Sequence, residues 1–116
     1  MLKIAILFFA LGAIMGLTIL LRWLNKKEAS NAVIYSHGLF GAIGLILLGY
    51  AGYTHQEHFP TISLILFILV ATVGFYMFFT TTFPNRRPEP KPIFIALVHG
   101  LVAVASFVLL LYSVLG

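Results

Sequence analysis

The sequence predicts an all-α fold: a polytopic membrane protein whose four transmembrane helices form an up-down-up-down bundle. Of the 116 residues, 61% are hydrophobic and only 9% are charged, a balance that soluble domains do not have. The apolar residues also fall into four runs of about 20, the length that spans a bilayer. These runs cover residues 2–21, 32–52, 61–83 and 93–115. The loops between them are too short for an aqueous domain.

Each run is bounded by residues that suit a helix terminus. The first ends before Arg22; it exceeds the roughly 7–15 apolar residues of a signal peptide and lacks a small-residue cleavage site, so we interpret it as a helix. The second follows Asn31, and the third follows Pro60, a residue that suits the first turn of a helix. Pro84 and Pro92 bound the loop before the fourth helix, because neither helix can continue through them.

The charged residues predict the orientation of the helices. All but one of the seven Lys and Arg residues follow the first or third helix, namely Arg22, Lys26, Lys27, Arg86, Arg87 and Lys91. The positive-inside rule therefore predicts that both basic loops are cytoplasmic and both termini are outside. We expect an integral protein of a bacterial inner membrane with periplasmic termini. Topology explains the basic composition, and nucleic-acid binding is not predicted.

The two halves of the chain, about residues 1–58 and 60–116, resemble each other. The segment from His37 reads H-G-L-F-G-A-I-G-L-I-L-L-G-Y, and the segment from His99 reads H-G-L-V-A-V-A-S-F-V-L-L-L-Y. The same offset, 62 positions from residue 37 to residue 99, extends weakly to the first and third helices. The matches there are Gly12 with Gly74, Met15 with Met77 and Thr18 with Thr80. Two hairpins of equal orientation predict a pseudo-twofold axis along the membrane normal, with the second and fourth helices diagonal.

An ionisable side chain within the hydrocarbon layer is costly, so His37 and His99 are candidate functional residues. His37 lies roughly 9 Å beyond Asn31 and His99 roughly 10 Å beyond Pro92, at about 1.5 Å of rise per residue. Both imidazoles are therefore predicted at nearly the same depth, in the cytoplasmic half of the membrane. Because each repeat contributes one imidazole, we expect the two imidazoles to share a ligand.

Small residues lie on the histidine face of the second and fourth helices, at i+4 and i+7. They are Gly41, Gly44, Ala103 and Ser106. Such residues allow close helix packing or leave a slot for a flat cofactor, and the neighbouring imidazoles favour the slot. Met15 lies seven residues before Arg22 and Met77 lies seven before Pro84, so both are predicted to reach the histidine level.

The first candidate ligand is a haem b with His37 and His99 as its axial ligands. Haem iron accepts imidazole nitrogen, and helix bundles hold cofactors between facing helices. The haem carboxylates would be met by basic residues of the cytoplasmic loops, with Arg22 and Arg86 among the candidates. No carboxylate pair or Ser–His–Asp set falls within the runs, so we predict no catalytic side chain, and a bound cofactor would carry any chemistry.

These features resemble the bis-histidine four-helix b-type cytochromes of bacterial membranes. The likeness covers the whole chain architecturally, and its motif is His-Gly at 37–38 and 99–100. Familiar members usually carry four ligand histidines and two haems, whereas two histidines lie in the runs here, so one haem is implied. The resemblance also implies electron exchange with a quinone or another redox protein, as an electron carrier or a quinol-linked oxidoreductase.

Two alternatives remain open. Imidazole together with the thioethers of Met15 and Met77 is a donor set for copper(I), in a protein that handles copper or protons. In the other alternative, the histidines hydrogen-bond between helices of a non-haem structural or assembly subunit of a larger membrane complex. The absence of cysteine excludes disulfides, thiolate metal sites and iron–sulfur clusters.

Two further features lie apart from the histidine pair. His55, Glu57 and His58 fall in the outer loop; we interpret them as a solvated loop, and the alternative is a zinc site or a proton relay to a quinone. Gly12 and Gly16 form a G-x-x-x-G motif on the first helix. This motif predicts either a homodimer through that helix or its close packing within its own bundle.

Overall fold

The computed structural model describes residues 1–54, 59–84 and 86–116, and these residues form helices and short connections without any strand. Four helices follow one another: α1 (Leu2–Leu24), α2 (Asn31–Thr54), α3 (Thr61–Thr81) and α4 (Ile93–Leu115). All four are long and apolar enough to cross a membrane. The predicted fold class is therefore confirmed.

The helix ends differ from the predicted bounds by a turn or less. α1 extends beyond its predicted end because Trp23 continues the helix and packs inward, with 8% of its surface exposed. α3 ends earlier than predicted. The N–H groups of Thr82 and Phe83 both donate to the Phe78 carbonyl over 2.9 Å, which closes the last turn ahead of Pro84.

α1 ends in a left-handed turn at Lys26, whose φ is 58°. The Lys26 N–H donates to the Trp23 carbonyl over 3.0 Å, and the Lys27 N–H donates to the Arg22 carbonyl over 2.8 Å. These two bonds define a Schellman motif, which satisfies carbonyl groups that the helix end leaves unpaired. A lysine occupies the position that glycine usually takes.

The helices form a ring in chain order. α1 packs against α2 and α4, and α3 packs against α2 and α4, so α1 faces α3 and α2 faces α4 across the bundle. The most extensive of these contacts joins α1 and α2. The molecule measures 46 × 23 × 19 Å, and its long axis matches a bilayer of about 40–45 Å with headgroups.

The interior is small and the exterior is apolar. The buried cluster consists of Ala5, Phe9, Leu48, Phe67 and Leu110. Its centre is the Phe9–Phe67 pair, whose rings stack across the bundle with centroids 4.0 Å apart and planes 1° apart. Large apolar side chains cover the outside. An exterior of this kind is suited to acyl chains, because helices satisfy their own backbone groups and need no water.

The contacts reveal the internal symmetry and correct its predicted register. His37 and His99 face each other across α2 and α4, 62 positions apart, as predicted. Phe9 faces Phe67 across α1 and α3 at an offset of only 58. The same offset relates two glycines that contact the histidines, at positions 16 and 74.

The equivalences predicted between α1 and α3 are therefore out of register by about one helical turn. They were Gly12 with Gly74, Met15 with Met77 and Thr18 with Thr80. The physical reason is a longer connection in the second hairpin, because 25 positions separate residues 74 and 99 whereas 21 separate residues 16 and 37. The facing residues of α1 and α3 are thus related by an offset of 58, and the histidines of α2 and α4 by an offset of 62.

The basic end of the bundle, residues 22–30, 82–84 and 86–92, is held by a cluster of charges. Lys91 Nζ lies 2.9 Å from Glu28 Oε2 and its side chain is only 4% exposed. The same ammonium group lies 5.8 Å from the centre of the Trp23 ring. Arg87 Nη2 donates to Asn31 Oδ1 over 3.0 Å. These contacts join the two basic loops over the interior.

Candidate functional site

The two histidines that the sequence singles out meet inside the bundle. α2 carries His37 and α4 carries His99, and both side chains are partly buried. Their ring centroids lie 6.2 Å apart and their planes are inclined by 76°. The helices themselves face each other diagonally, so the imidazoles span the interior and are the contact between α2 and α4 at this level.

A hydrogen bond to the backbone of α1 orients the His37 ring. His37 Nδ1–H donates to the Gly12 carbonyl over 2.7 Å. A carbonyl can only accept, so Nδ1 carries the proton and Nε2 of the neutral ring has a free lone pair. The ring therefore presents an unprotonated nitrogen that can bind a metal or accept a proton.

The His99 ring is in a similar place but has different partners. Its Nδ1 atom is buried and has no hydrogen-bond partner within the described part of the chain. The backbone of Val70 on α3 interacts with the ring without reaching hydrogen-bond geometry at Nδ1. Val70 lies 58 positions after Gly12, so it occupies the position that is equivalent by symmetry.

Glycines allow both imidazoles to lie against the neighbouring helix. A Cβ atom added at Gly16 would lie 2.8 Å from His37 Cε1, and one added at Gly74 would lie 3.1 Å from His99 Cε1. Both separations are shorter than normal carbon–carbon contacts of about 3.5–4.0 Å. Gly12 is buried against α2 as well. The G-x-x-x-G motif of α1 therefore packs within its own bundle, and its buried face is not available for a homodimer.

The small residues that the sequence predicts beside the histidines have different surroundings. Gly41 has open space where a side chain would be, whereas a Cβ atom at Gly44 would lie 3.0 Å from the Phe9 ring. Phe9 thus fills the space beside Gly44. Ala103 is partly buried, and the Ser106 hydroxyl is buried and donates to the Val102 carbonyl over 2.8 Å.

The two methionines are not an equivalent pair. Met15 directly precedes Gly16 and is partly buried. Met77 is buried and follows Gly74 by three residues, so it lies about 4.5 Å nearer the basic end. The structure therefore differs from the predicted single layer of two histidines and two methionines.

Arg22 and Arg86 lie at the basic end and are both exposed. Arg86 Nε donates to the Phe83 carbonyl over 3.1 Å. The basic residue that is turned inward is Lys91, which Glu28 neutralises. His55, Glu57 and His58, predicted as the outer loop, lie outside the described residues.

Three features of the site were not identified from the sequence. They are the contact of Gly74 with His99, the contact of Gly16 with His37, and the Phe9–Phe67 stack that lies about two turns further from the basic end. A signal was present, because Phe9, Gly16, Phe67 and Gly74 match at an offset of 58. In apolar sequence that match is no stronger than the one at 62.

The geometry brings the imidazoles of His37 and His99 together in the partly buried interior of the bundle. Among the described residues, no group of three or more His, Cys, Asp or Glu side chains could share a metal ion. The pair suits a guest that needs two axial donors and supplies its other ligands itself. Comparison of the chain with family models, curated proteins and solved structures finds no match.

Proposed function

We propose that this chain is a small membrane b-type cytochrome that holds one haem between His37 and His99 and exchanges electrons with a quinone or a redox protein. The observation that carries the proposal is the convergence of two imidazoles from diagonal helices, with ring centroids 6.2 Å apart. The haem would supply one-electron oxidation and reduction. The chain itself would bind the haem, orient it and exclude water.

The spacing of the rings supports two axial ligands on one metal. Two imidazoles that share a metal through bonds of about 2.0–2.1 Å have ring centres roughly 6.4 Å apart. The 6.2 Å between His37 and His99 is close to this value. The inclination of 76° between the planes is compatible with it, because each ring can rotate about the metal–nitrogen axis.

The hydrogen bond of His37 supports the same proposal. A metal-binding histidine almost always donates its other ring N–H to a carboxylate, a backbone carbonyl or water, which fixes the tautomer and the ring orientation. His37 Nδ1–H donates to the Gly12 carbonyl in this way. Gly16 and Gly74 add the space that each ring requires.

The number of donors favours haem over a bare ion. A haem iron lacks only its axial ligands, whereas a protein-bound copper or zinc ion commonly takes three or four donors from side chains. Met15 and Met77 differ in level by about 6 Å, or one helical turn, which weakens the copper alternative.

A structural role is the second candidate function. The His37–Gly12 bond joins α2 to α1, and the His37–His99 contact joins α2 to α4. Hydrogen bonds between membrane helices stabilise a bundle by about 0.6–2 kcal/mol each. A non-haem subunit of a larger membrane complex would use the histidines in this way.

The proposal includes the location of the protein. The lipid bilayer surrounds four apolar helices, and we assign that bilayer to a bacterial inner membrane with the basic end in the cytoplasm. The haem would then lie in the cytoplasmic half of the membrane, and its carboxylates would find the exposed cations Arg22 and Arg86 at that end.

A visible spectrum of the purified protein tests the proposed function. We expect a sharp Soret band and, after dithionite reduction, the α and β bands of low-spin bis-imidazole haem, with one haem per chain. His37→Ala and His99→Ala should each remove the low-spin spectrum. Gly100→Ala is the control, because an added Cβ there meets nothing within 4 Å.

Other results would point elsewhere. A low-spin spectrum that survives both single substitutions would remove the histidines from the ligand set. A colourless protein that contains stoichiometric copper would favour the copper alternative. A colourless, metal-free protein whose Tm falls in both histidine variants would favour the structural role.

A further inference from the structure

The two imidazoles are equivalent by symmetry, but the surrounding protein holds them unequally. The His37 Nδ1–H group donates to the Gly12 carbonyl over 2.7 Å. At the equivalent position in the second hairpin, Val70 interacts with the His99 ring, but His99 Nδ1 has no hydrogen-bond partner among the described residues. The hydrogen bond of His37 therefore has good geometry, whereas the corresponding contact of His99 with the Val70 backbone does not.

The glycine contacts also indicate that the protein packs more closely around His37 than around His99. A Cβ at Gly16 would lie within 3.6 Å of three atoms of the His37 ring, the nearest being Cε1 at 2.8 Å. A Cβ at Gly74 would lie 3.1 Å from His99 Cε1 and 3.9 Å from both ring nitrogens. α1 therefore packs closely against one imidazole, whereas α3 leaves more room around the other.

The hairpins that carry the histidines also differ. α1 and α2 pack together more extensively than α3 and α4 do. The residue on the tightly packed hairpin, His37, is the one with the hydrogen bond. The hydrogen bond, the glycine contact and the helix packing thus all indicate that His37 is held more closely than His99.

This difference would affect how strongly each histidine binds a metal. When the ring nitrogen that does not bind the metal donates to a carbonyl, the imidazole becomes a more basic ligand and keeps its orientation. Loss of such a hydrogen-bond partner typically lowers metal affinity about 10–100-fold. His37 has this support. The contact of His99 with the Val70 backbone is weaker, so the bond of His99 to a shared metal would be the weaker of the two.

We propose, as an extension of the function proposed above, that His37 is the permanent ligand of the cofactor and His99 is an exchangeable one. A small neutral donor, such as carbon monoxide or free imidazole, can then take the position of His99. In this exchange the bond from the His99 imidazole to the metal would break, and a bond from the lone pair of the incoming ligand would form. No electron is transferred, and the imidazole leaves in its neutral form.

Paired substitutions provide the first test, with haem content and spectrum as readouts. We expect His99→Ala to retain most of its haem, to become high-spin and to return to low-spin when free imidazole is added. We expect His37→Ala to lose at least about tenfold in haem affinity, the lower end of the effect of ligand support. An equal loss of haem affinity in the two variants, or a greater loss in His99→Ala, would contradict the proposed difference between the two ligands.

The unsubstituted protein provides a second test that does not depend on the folding of a variant. Carbon monoxide added to the reduced protein should shift the Soret band. A haem-loaded protein that does not respond would overturn this inference alone, and a protein without haem would overturn the proposed function together with it.

The haem-free protein adds a third readout, ¹⁵N NMR of the imidazoles. The ring N–H of His37 should exchange with water at least about tenfold more slowly than that of His99, and equal rates would contradict the unequal anchoring.

Discussion

At the residue scale, glycine determines whether an imidazole can lie flat against the next helix. Gly16 is one turn beyond Gly12, and the two act together: the carbonyl of Gly12 accepts from His37 while the bare Cα of Gly16 leaves room for the ring. A larger side chain at position 16 would have to displace the ring and lengthen that hydrogen bond. The G-x-x-x-G pair therefore serves the histidine as well as helix packing.

We predict that Gly16→Ala destabilises the protein. Overpacking costs about 1–3 kcal/mol, which exceeds the gain of about 0.5–1 kcal/mol for replacing a helical glycine with alanine. Thermal unfolding in detergent measures the effect, with Gly38→Ala as the matched control. Position 38 has nothing within 4 Å of an added Cβ, so the control should raise Tm or leave it unchanged. A Gly16→Ala protein as stable as the control would contradict the contact.

The histidines could be predicted from the sequence, but their neighbours could not. His37 and His99 stand out because an ionisable group in an apolar helix is rare, and their similar distances from the helix starts predict a common depth. The space beside Gly44 is different. A glycine face can receive a ring from a cofactor or from the protein itself, and only the structure reveals that Phe9 occupies it.

At the element scale, the end of α1 shows a local conflict between sequence and conformation. Lys26 adopts a φ of 58°, a region that costs a residue with a Cβ about 1–2 kcal/mol. The hydrogen bonds of the Schellman motif hold it there. The turn directs the chain from α1 toward Glu28, which pairs with Lys91 of the other loop.

We predict that Lys26→Gly stabilises the protein by about 0.5–1 kcal/mol, because glycine removes the strain but loses more entropy on folding. The measurement is the unfolding midpoint in detergent. Lys27→Gly is the control, since it removes the same charge from a position without positive φ. If both variants had the same midpoint, charge and not backbone strain would explain the change.

The relation between α1 and α3 shows where sequence prediction ends at this scale. Four apolar runs separated by short polar loops predict four helices, because burial in lipid requires just that pattern. The sequence does not predict the register of α1 relative to α3. Apolar residues repeat so often that Gly74 matches Gly12 at one offset and Gly16 at another. Packing selects the second, since Phe9 and Phe67 then meet across the bundle.

At the scale of the whole molecule, the ring order of the helices follows from the short loops, which make consecutive helices neighbours. α2 and α4 are consequently diagonal, as predicted, and the single histidine on each can reach the other across the interior. The orientation of the bundle in the membrane is predicted from the distribution of its charged residues alone. Every basic residue except Lys3 lies at one end.

We predict that this basic end is cytoplasmic, and single-cysteine labelling in intact bacterial cells measures it. The chain has no cysteine, so Asn25→Cys and Leu115→Cys each introduce one thiol at opposite ends without changing the charge. A membrane-impermeant maleimide should label Leu115→Cys from outside and Asn25→Cys only after the cells are opened. The reverse pattern would contradict the predicted topology.

The Phe9–Phe67 stack has a consequence for what can move through the molecule. The two rings, together with Leu48 and Leu110, fill the interior between the imidazoles and the end that carries the termini. Buried hydroxyl groups lie on both sides of the imidazoles, those of Ser63 and Ser106 toward the termini and those of Thr81 and Thr82 toward the basic end. Apolar side chains therefore separate the imidazoles from the end that carries the termini, and a guest held by the imidazoles would be closed off from that end.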